Sequence, residues 1–272
     1  MNVSVFEKVA NYLILGVFGL VILGPISVIV TLAFGPENAS VAQEGRIFHW
    51  ENFPTAWEVA RFGQYMLTSV VVAVIVVVVA VLASILAGYA LGTMKFRGAT
   101  PIFYLFLLGI MVPTEAFIVP LYFDLRTVGL TNTVWGVAFP QIAMSIAFGT
   151  FWMRTYFRSS SQALIDAAKL DGAGSMRILW QVLVPIGRPA ILTLVLLTFM
   201  WTWNEFLIPL VMSPNGSVRT APLGLAFFQG QYTQGTALLA AGAIMVALPV
   251  VVLYIFLQRH FIQGMLEGAV RE

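Results

Sequence analysis

An all-α membrane protein with six transmembrane helices is the fold class this sequence predicts. Three observations lead to it. Of the 272 residues, 60% are hydrophobic and 10% charged, with a mean hydropathy of +0.91; soluble domains hold about 45–50% apolar and about 25% charged residues. Apolar runs recur at close to the roughly 20 residues that a bilayer span requires. The basic residues are also divided unevenly among the segments joining those runs. Lipid offers backbone amides and carbonyls no partner, so runs of this length are helices.

The spans are expected at 12–34, 66–91, 101–122, 133–152, 189–212 and 237–257. The first follows Lys8; it is too long for the apolar core of a signal peptide and lacks a small-residue cleavage site, so it is read as retained. The second is almost entirely valine and alanine from Val70 to Val81. On it Ala80, Ser84, Gly88 and Gly92 recur every four residues, a stripe that lets another helix approach closely. Glu115 and Glu205 interrupt the third and fifth spans. Pro113, Pro120, Pro140, Pro209 and Pro249 lie in or near spans, and each favours a kink or break by removing a backbone donor. A single membrane domain, 1–272, accounts for all of this.

Orientation follows from Lys and Arg. With the N-terminus inside, the cytoplasmic side receives Lys8, Lys95, Arg97, Arg154, Arg158, Lys169, Arg177, Arg188, Arg259 and Arg271, against Arg46, Arg61, Arg126 and Arg219 outside. The positive-inside rule therefore places both termini in the cytoplasm, together with the segment 159–188. The outer loops are 35–64, with Glu37, Glu44, Glu51 and Glu58, and 213–236, which is nearly uncharged. In the latter Pro222, Gly224, Gly230 and Gly235 permit an irregular path, and Phe227-Phe228 offers an apolar tip that water disfavours unless it is covered. Trp50, Trp57 and Trp135 suit the outer interface.

Several function classes drop out. A net charge of +2 without a basic run does not fit nucleic acid. There is no cysteine for a disulfide or thiolate site, and His49 and His260 stand far apart, as interface or loop residues rather than ligands. No phosphate loop, nucleophile elbow or H-E-x-x-H is present; Gly224 to Gly230 lacks the required lysine.

The segment 159–188 is a polar island. Ser159, Ser160 and Ser161 offer capping oxygens, and Ala163, Leu164, Ala167, Ala168 and Leu170 form an apolar stripe at helical spacing. Asp171-Gly172 is a turn, with Gly172 free to take positive φ after the helix. Ser175 is placed to cap a second short helix whose apolar set is Met176, Leu179, Trp180 and Leu183, ending at Pro185. Two short helices broken at a glycine make a knob suited to a partner's groove.

An acidic side chain within a span faces protein or water. Glu205 has Trp201, Trp203 and Asn204 beside it. Aromatic rings cover the CH faces of a polyhydroxylated ligand, and amide or carboxylate oxygens take its hydroxyls. Glu115, Trp203, Asn204 and Glu205 are therefore candidate pathway residues. The same two carboxylates leave open a secondary transporter driven by a proton or sodium gradient.

The island resembles the "EAA" loop of bacterial ABC importer permeases in Asp166-Ala167-Ala168-Lys169-Leu170-Asp171-Gly172-Ala173, continuing to Val184-Pro185-Ile186 and Pro189-Ala190. Asp166 stands where that family usually has glutamate. Further matches run in order along the chain: Trp50-Glu51-Asn52-Phe53, Ala87-Gly88-Tyr89-Ala90-Leu91, Phe96-Arg97-Gly98, Val119-Pro120-Leu121-Tyr122 and Gly129-Leu130-Thr131-Asn132-Thr133. Trp203-Asn204-Glu205-Phe206-Leu207, Pro209-Leu210, the tail Gln258-Arg259-His260-Phe261-Ile262-Gln263-Gly264 and Gly268-Ala269-Val270-Arg271 complete them. They are similar to the carbohydrate-uptake branch, in particular to the smaller permease of the maltose transporter.

The resemblance implies the MetI-like permease fold and a bacterial plasma-membrane location. It implies a complex with a second homologous permease, two ATPase subunits and an extracytoplasmic solute-binding protein. This chain would then carry no catalytic residue, metal or cofactor; ATP and magnesium belong to the ATPase. Asp166, Ala167, Ala168, Asp171, Gly172 and Ala173 become coupling residues, and Gln258, Arg259, Gln263 and Gly264 an ATPase-contacting tail. The outer loop 213–236 matches the family's loop that reaches towards the binding protein.

Overall fold

The computed structural model describes residues 5–36, 48–160, 162–226, 228 and 236–269, with the last helix described by its backbone alone beyond Arg259. Among the described residues the structure is helical throughout, without strands. Four helices are long and apolar enough to cross a membrane, and six crossings result if each of two bent helix pairs counts as one. Two compact units are present: 1–63 with 224–248, and 64–223 with 249–272.

In the first unit, α1 (Val5–Ala33) is followed by the short α2 (Asn52–Val59). Buried Asn52 donates from Nδ2 to the carbonyls of Ala33 and Gly35, both at 2.9 Å, and so closes the C-terminal end of α1, where carbonyls lack intrahelical donors. His49 stands in the loop before α2, as expected, and is fully buried beside Asn52, its Nδ1 2.9 Å from Glu51 Oε1. Phe228 is buried too, its ring 6.2 Å from that of Phe62, so it is not an exposed loop tip. Glu37, Glu44, Arg46, Ser161, Phe227, Gly230, Gly235, Val270 and Arg271 lie outside the described residues.

The second unit is organised around α3 (Phe62–Thr93) from Gln64 onward and α6 (Val134–Ser159). The small-residue stripe on α3 meets α6 directly. A Cβ on Gly88 would lie 2.6 Å from Met153 Cβ and 2.8 Å from the Arg154 amide nitrogen, and one on Gly92 3.1 Å from Phe157 Cβ. From the other side, a Cβ on Gly149 would collide with Ser84 Oγ.

The third expected span is two helices, α4 (Ala99–Met111) and α5 (Thr114–Thr127), meeting at 99°. Pro113 causes the break: the residue before a proline is pushed out of the helical region, and Val112 is extended at φ −80°, ψ 118°. The helices run on without a break through Pro120 and Pro140. One lost amide bond is tolerated where packing holds the rest.

The fifth expected span also divides. α7 (Gln162–Leu170) and α8 (Ser175–Ile186) precede α9 (Arg188–Asn204), with an 80° bend between α8 and α9; α10 (Leu207–Met212) follows after a second break. Glu205 and Glu115 are thus not mid-span charges. Each stands at a helix break: Glu115 in the first turn of α5, where the helix dipole favours an anion, and Glu205 between α9 and α10. After α11 (Ala221–Leu225), α12 (Thr236–Ala269) runs unbroken through Pro249 and past the expected end of the sixth span.

Candidate functional site: a knob and a cavity on shared helices

The knob is built from α7 and α8. Gly172 has φ +76°, and the turn around it satisfies the end of α7: the Gly172 amide donates to the Lys169 carbonyl at 3.0 Å, and the Ala173 amide to that of Ala168 at 2.9 Å. This paired pattern is the glycine-dependent helix stop. The hydroxyls of Ser159 and Ser160 donate back to the Tyr156 carbonyl, at 2.8 and 3.1 Å, and finish α6; Ser161, directly before α7, lies outside the described residues. Ser175 does not cap α8: Gly174 holds that position without a side-chain bond.

The apolar faces differ from the expected stripe. Ile165, Ile178, Leu179 and Leu183 are buried in one cluster with Val81, Ile85 and Tyr89 of α3, Met153 and Phe157 of α6, and Leu194 of α9. Ala168 and Ala173 pack against that cluster. Leu164, Leu170, Met176 and Trp180 point outward, Leu170 being 90% exposed. Within α8 the segment Ile178–Leu183 is π-helical, and of its expected apolar set Leu179 and Leu183 are buried together with Ile178. Helix α8 continues through Pro185 to Ile186 instead of ending at the proline. Asp166, Ala167, Asp171 and Gly172 are exposed; Asp166 Oδ1 accepts from Gln162 Nε2 at 3.0 Å and from Lys169 Nζ at 3.4 Å.

The bend into α9 is clamped by α6. Trp152 Nε1 donates to the Ala190 carbonyl at 2.9 Å. The Tyr156 ring lies so close to Gly187 that a Cβ there would sit 2.6–2.8 Å from it.

Further along α6 and α9 is a cavity of about 480 Å³. Gln141, Ser145 and Phe148 line it from α6, Trp201, Thr202 and Asn204 from α9, and Glu205 closes one side. The rings of Phe148 and Trp201 meet edge to face at 4.8 Å. Glu205 Oε1 accepts from the Ile208 amide at 3.0 Å, holding the start of α10. Asn204 Nδ2 donates to the Met200 carbonyl at 2.8 Å. Gln141, only 5% exposed, donates from Nε2 to the Val137 carbonyl at 3.0 Å, and its Oε1 meets no donor among the described residues.

Of the four pathway candidates, Asn204 and Glu205 are on the cavity wall. Trp203 is 1% exposed and stacked on Phe199 at 5.4 Å, so it belongs to the packed interior; Trp201 takes the wall position. Glu115 is exposed in the first turn of α5 and is not among the lining residues. Gln141, Ser145 and Phe148 were not legible as site residues, because only the pairing of α6 with α9 assembles them. Gln258 and Arg259 are exposed on α12; Gln263 and Gly264 continue the same helix.

The profile of the family described as binding-protein-dependent transport system inner membrane component matches residues 80–267. Over 82% of its length the chain is 33% identical to the probable ABC transporter permease protein YurM of Bacillus subtilis, covering 74% of that protein. It is 31% identical to the diacetylchitobiose uptake system permease protein NgcG of Streptomyces coelicolor, over 82% of this chain and 75% of that one. With the maltodextrin transport system permease protein MdxG of Bacillus subtilis it shares 29% identity over the full length of both. A chain in the crystal structure of a bacterial ABC transporter involved in the import of the acidic polysaccharide alginate has the same fold, with a TM-score of 0.75 at 22% identity, covering 96% of this chain and 99% of that one.

Proposed function

The chain belongs to the binding-protein-dependent transport system inner membrane components, and from that premise we propose that it is the permease subunit of an ATP-driven importer moving a sugar or related polyol across the bacterial plasma membrane. The observation that carries the proposal is the shared scaffold: the knob and the cavity are held by the same two helices, α6 and α9.

In this reading a second homologous permease completes the pathway, two ATPase subunits bind ATP and magnesium, and an extracytoplasmic binding protein delivers the solute. Both termini are cytoplasmic. Asp166, Ala167, Asp171 and Gly172 meet the ATPase, while Ala168 and Ala173 hold the knob to its support. ATP-driven closure moves the knob, and the buried cluster passes that displacement to α6 and α9, so the cavity changes its access. Gln258, Arg259, Gln263 and Gly264 bring α12 to the ATPase pair. The names of relatives that handle diacetylchitobiose and maltodextrin support a saccharide substrate. A gradient-driven carrier using Glu115 and Glu205 has no support from the family or from these relatives.

The test is to purify the chain with its co-expressed neighbours and measure uptake in proteoliposomes. Copurifying ATPase and vanadate-sensitive uptake are expected; uptake by this chain alone that collapses with an ionophore would overturn the proposal.

A further inference from the structure

The cavity wall has a chemical bias that the general reading does not use. Its amide donors are spent internally: Gln141 Nε2 on the Val137 carbonyl and Asn204 Nδ2 on the Met200 carbonyl. Asn204 Oδ1 remains as an acceptor, as does Glu205 Oε2 once Oε1 has accepted from Ile208. Ser145 and Thr202 add hydroxyls that serve in either role. No Lys, Arg or His lines the cavity among the described residues.

We infer that this cavity selects uncharged, hydroxyl-bearing sugars and excludes phosphorylated or carboxylated ones, with Glu205 setting the charge preference. A neutral sugar brings O–H donors to these two acceptors and CH faces to Phe148 and Trp201. The ionised phosphate or carboxylate group of a charged counterpart adds only further acceptors. It also places an anion beside the Glu205 carboxylate with no cation of this chain on the wall to offset it, in a site where partial burial strengthens the repulsion. The inference rests on the importer reading and narrows its substrate class.

The experiment uses the whole importer in detergent, without the binding protein, so that the membrane pathway discriminates and the Glu205 variant isolates this chain's share. Equilibrium binding is measured for neutral sugars against charged counterparts of the same ring size: trehalose against trehalose 6-phosphate, maltose against maltose 6-phosphate, and diacetylchitobiose against a glucuronate disaccharide. Wild type is expected to bind the neutral member of at least one pair about tenfold or more tightly than its charged counterpart. Glu205→Gln keeps an oxygen for the Ile208 amide and is expected to shrink that gap about tenfold, chiefly by admitting the charged member. Asn204→Leu removes the other acceptor; it should weaken binding of both members of a pair and leave the charge gap unchanged.

Equal or better binding of charged members by wild type, an unchanged gap in Glu205→Gln, or binding of no sugar in the panel overturns the inference. Binding-protein-stimulated ATPase activity of the same wild-type preparation keeps the two readings apart. If it is present, the importer reading stands whatever the cavity does; if it is absent, the importer reading itself fails.

Discussion

The knob and the cavity are built in opposite ways. The knob is local: α7, the Gly172 turn and α8 follow one another within 162–186, and its identity lies in an exposed surface. The cavity is non-local: Gln141 and Glu205 are separated by the knob itself in sequence and meet only because α6 lies against α9. Yet both depend on the same two helices. One end of that pair clamps the knob through Met153, Phe157 and Leu194, and further along it the pair walls the cavity. A device that turns partner motion into altered access needs a stiff connection between a surface and a pocket, and packed helices supply one.

The harshest way to break both regions at once is to separate α3 from α6. Gly88→Leu would drive a side chain into Met153 and the backbone at Arg154. Overpacking typically costs about 1–3 kcal/mol, and here backbone as well as side chain must yield. The expected outcome is poor recovery of assembled complex, read by size-exclusion yield and thermal stability.

Next in size, Ile165→Ala loosens the knob alone. Buried Ile-to-Ala changes cost about 2–5 kcal/mol, and here the loss is confined to the seat of α7. Membrane insertion and sugar binding should persist while uptake falls; loss of sugar binding as well would show the regions to be less separable than described. Gly172→Asp acts at the turn. No atom lies within 4 Å of the added Cβ, so the penalty is the positive φ, about 1–2 kcal/mol. Reduced ATPase copurification and uptake with normal helix content is expected, by pull-down and circular dichroism. The smallest effect belongs to Lys169→Ala. Its pair with Asp166 spans 3.4 Å with both side chains 57% exposed, and exposed pairs contribute at most about 1 kcal/mol; thermal stability should be unchanged.

The same contrast explains what the sequence revealed. The long apolar helices, the Gly172 turn and the close approach of Gly88 and Gly92 were legible because each is written in a short stretch: an apolar run, an Asp-Gly pair, a four-residue repeat. Ile165, which anchors α7, is hidden in the sequence because the apolar spacing also runs through its neighbours Leu164 and Leu170, which face outward. The π segment was invisible, since its buried spacing depends on what α8 packs against. Trp203 and Trp201 are two residues apart on α9, so a linear reading cannot say which one faces the cavity; the packing of Trp203 on Phe199 decides it. Asn204 and Glu205 were legible because polar groups in an apolar run are conspicuous. Gln141 was not, for lack of any neighbour in sequence that marked it.

The connection through α6 can be measured directly. The chain has no cysteine, so spin labels can be placed cleanly at Gln162→Cys at the start of α7 and Trp135→Cys at the far end of α6. The distance between them is compared in the resting complex and in the complex trapped with ATP and vanadate. If α6 and the knob move as one body, that distance stays constant to within about 2 Å, well under the 5.4 Å pitch of a helical turn. A change of a full turn or more, with sugar uptake intact, would contradict the account, because the knob would then be moving without carrying the wall of the cavity.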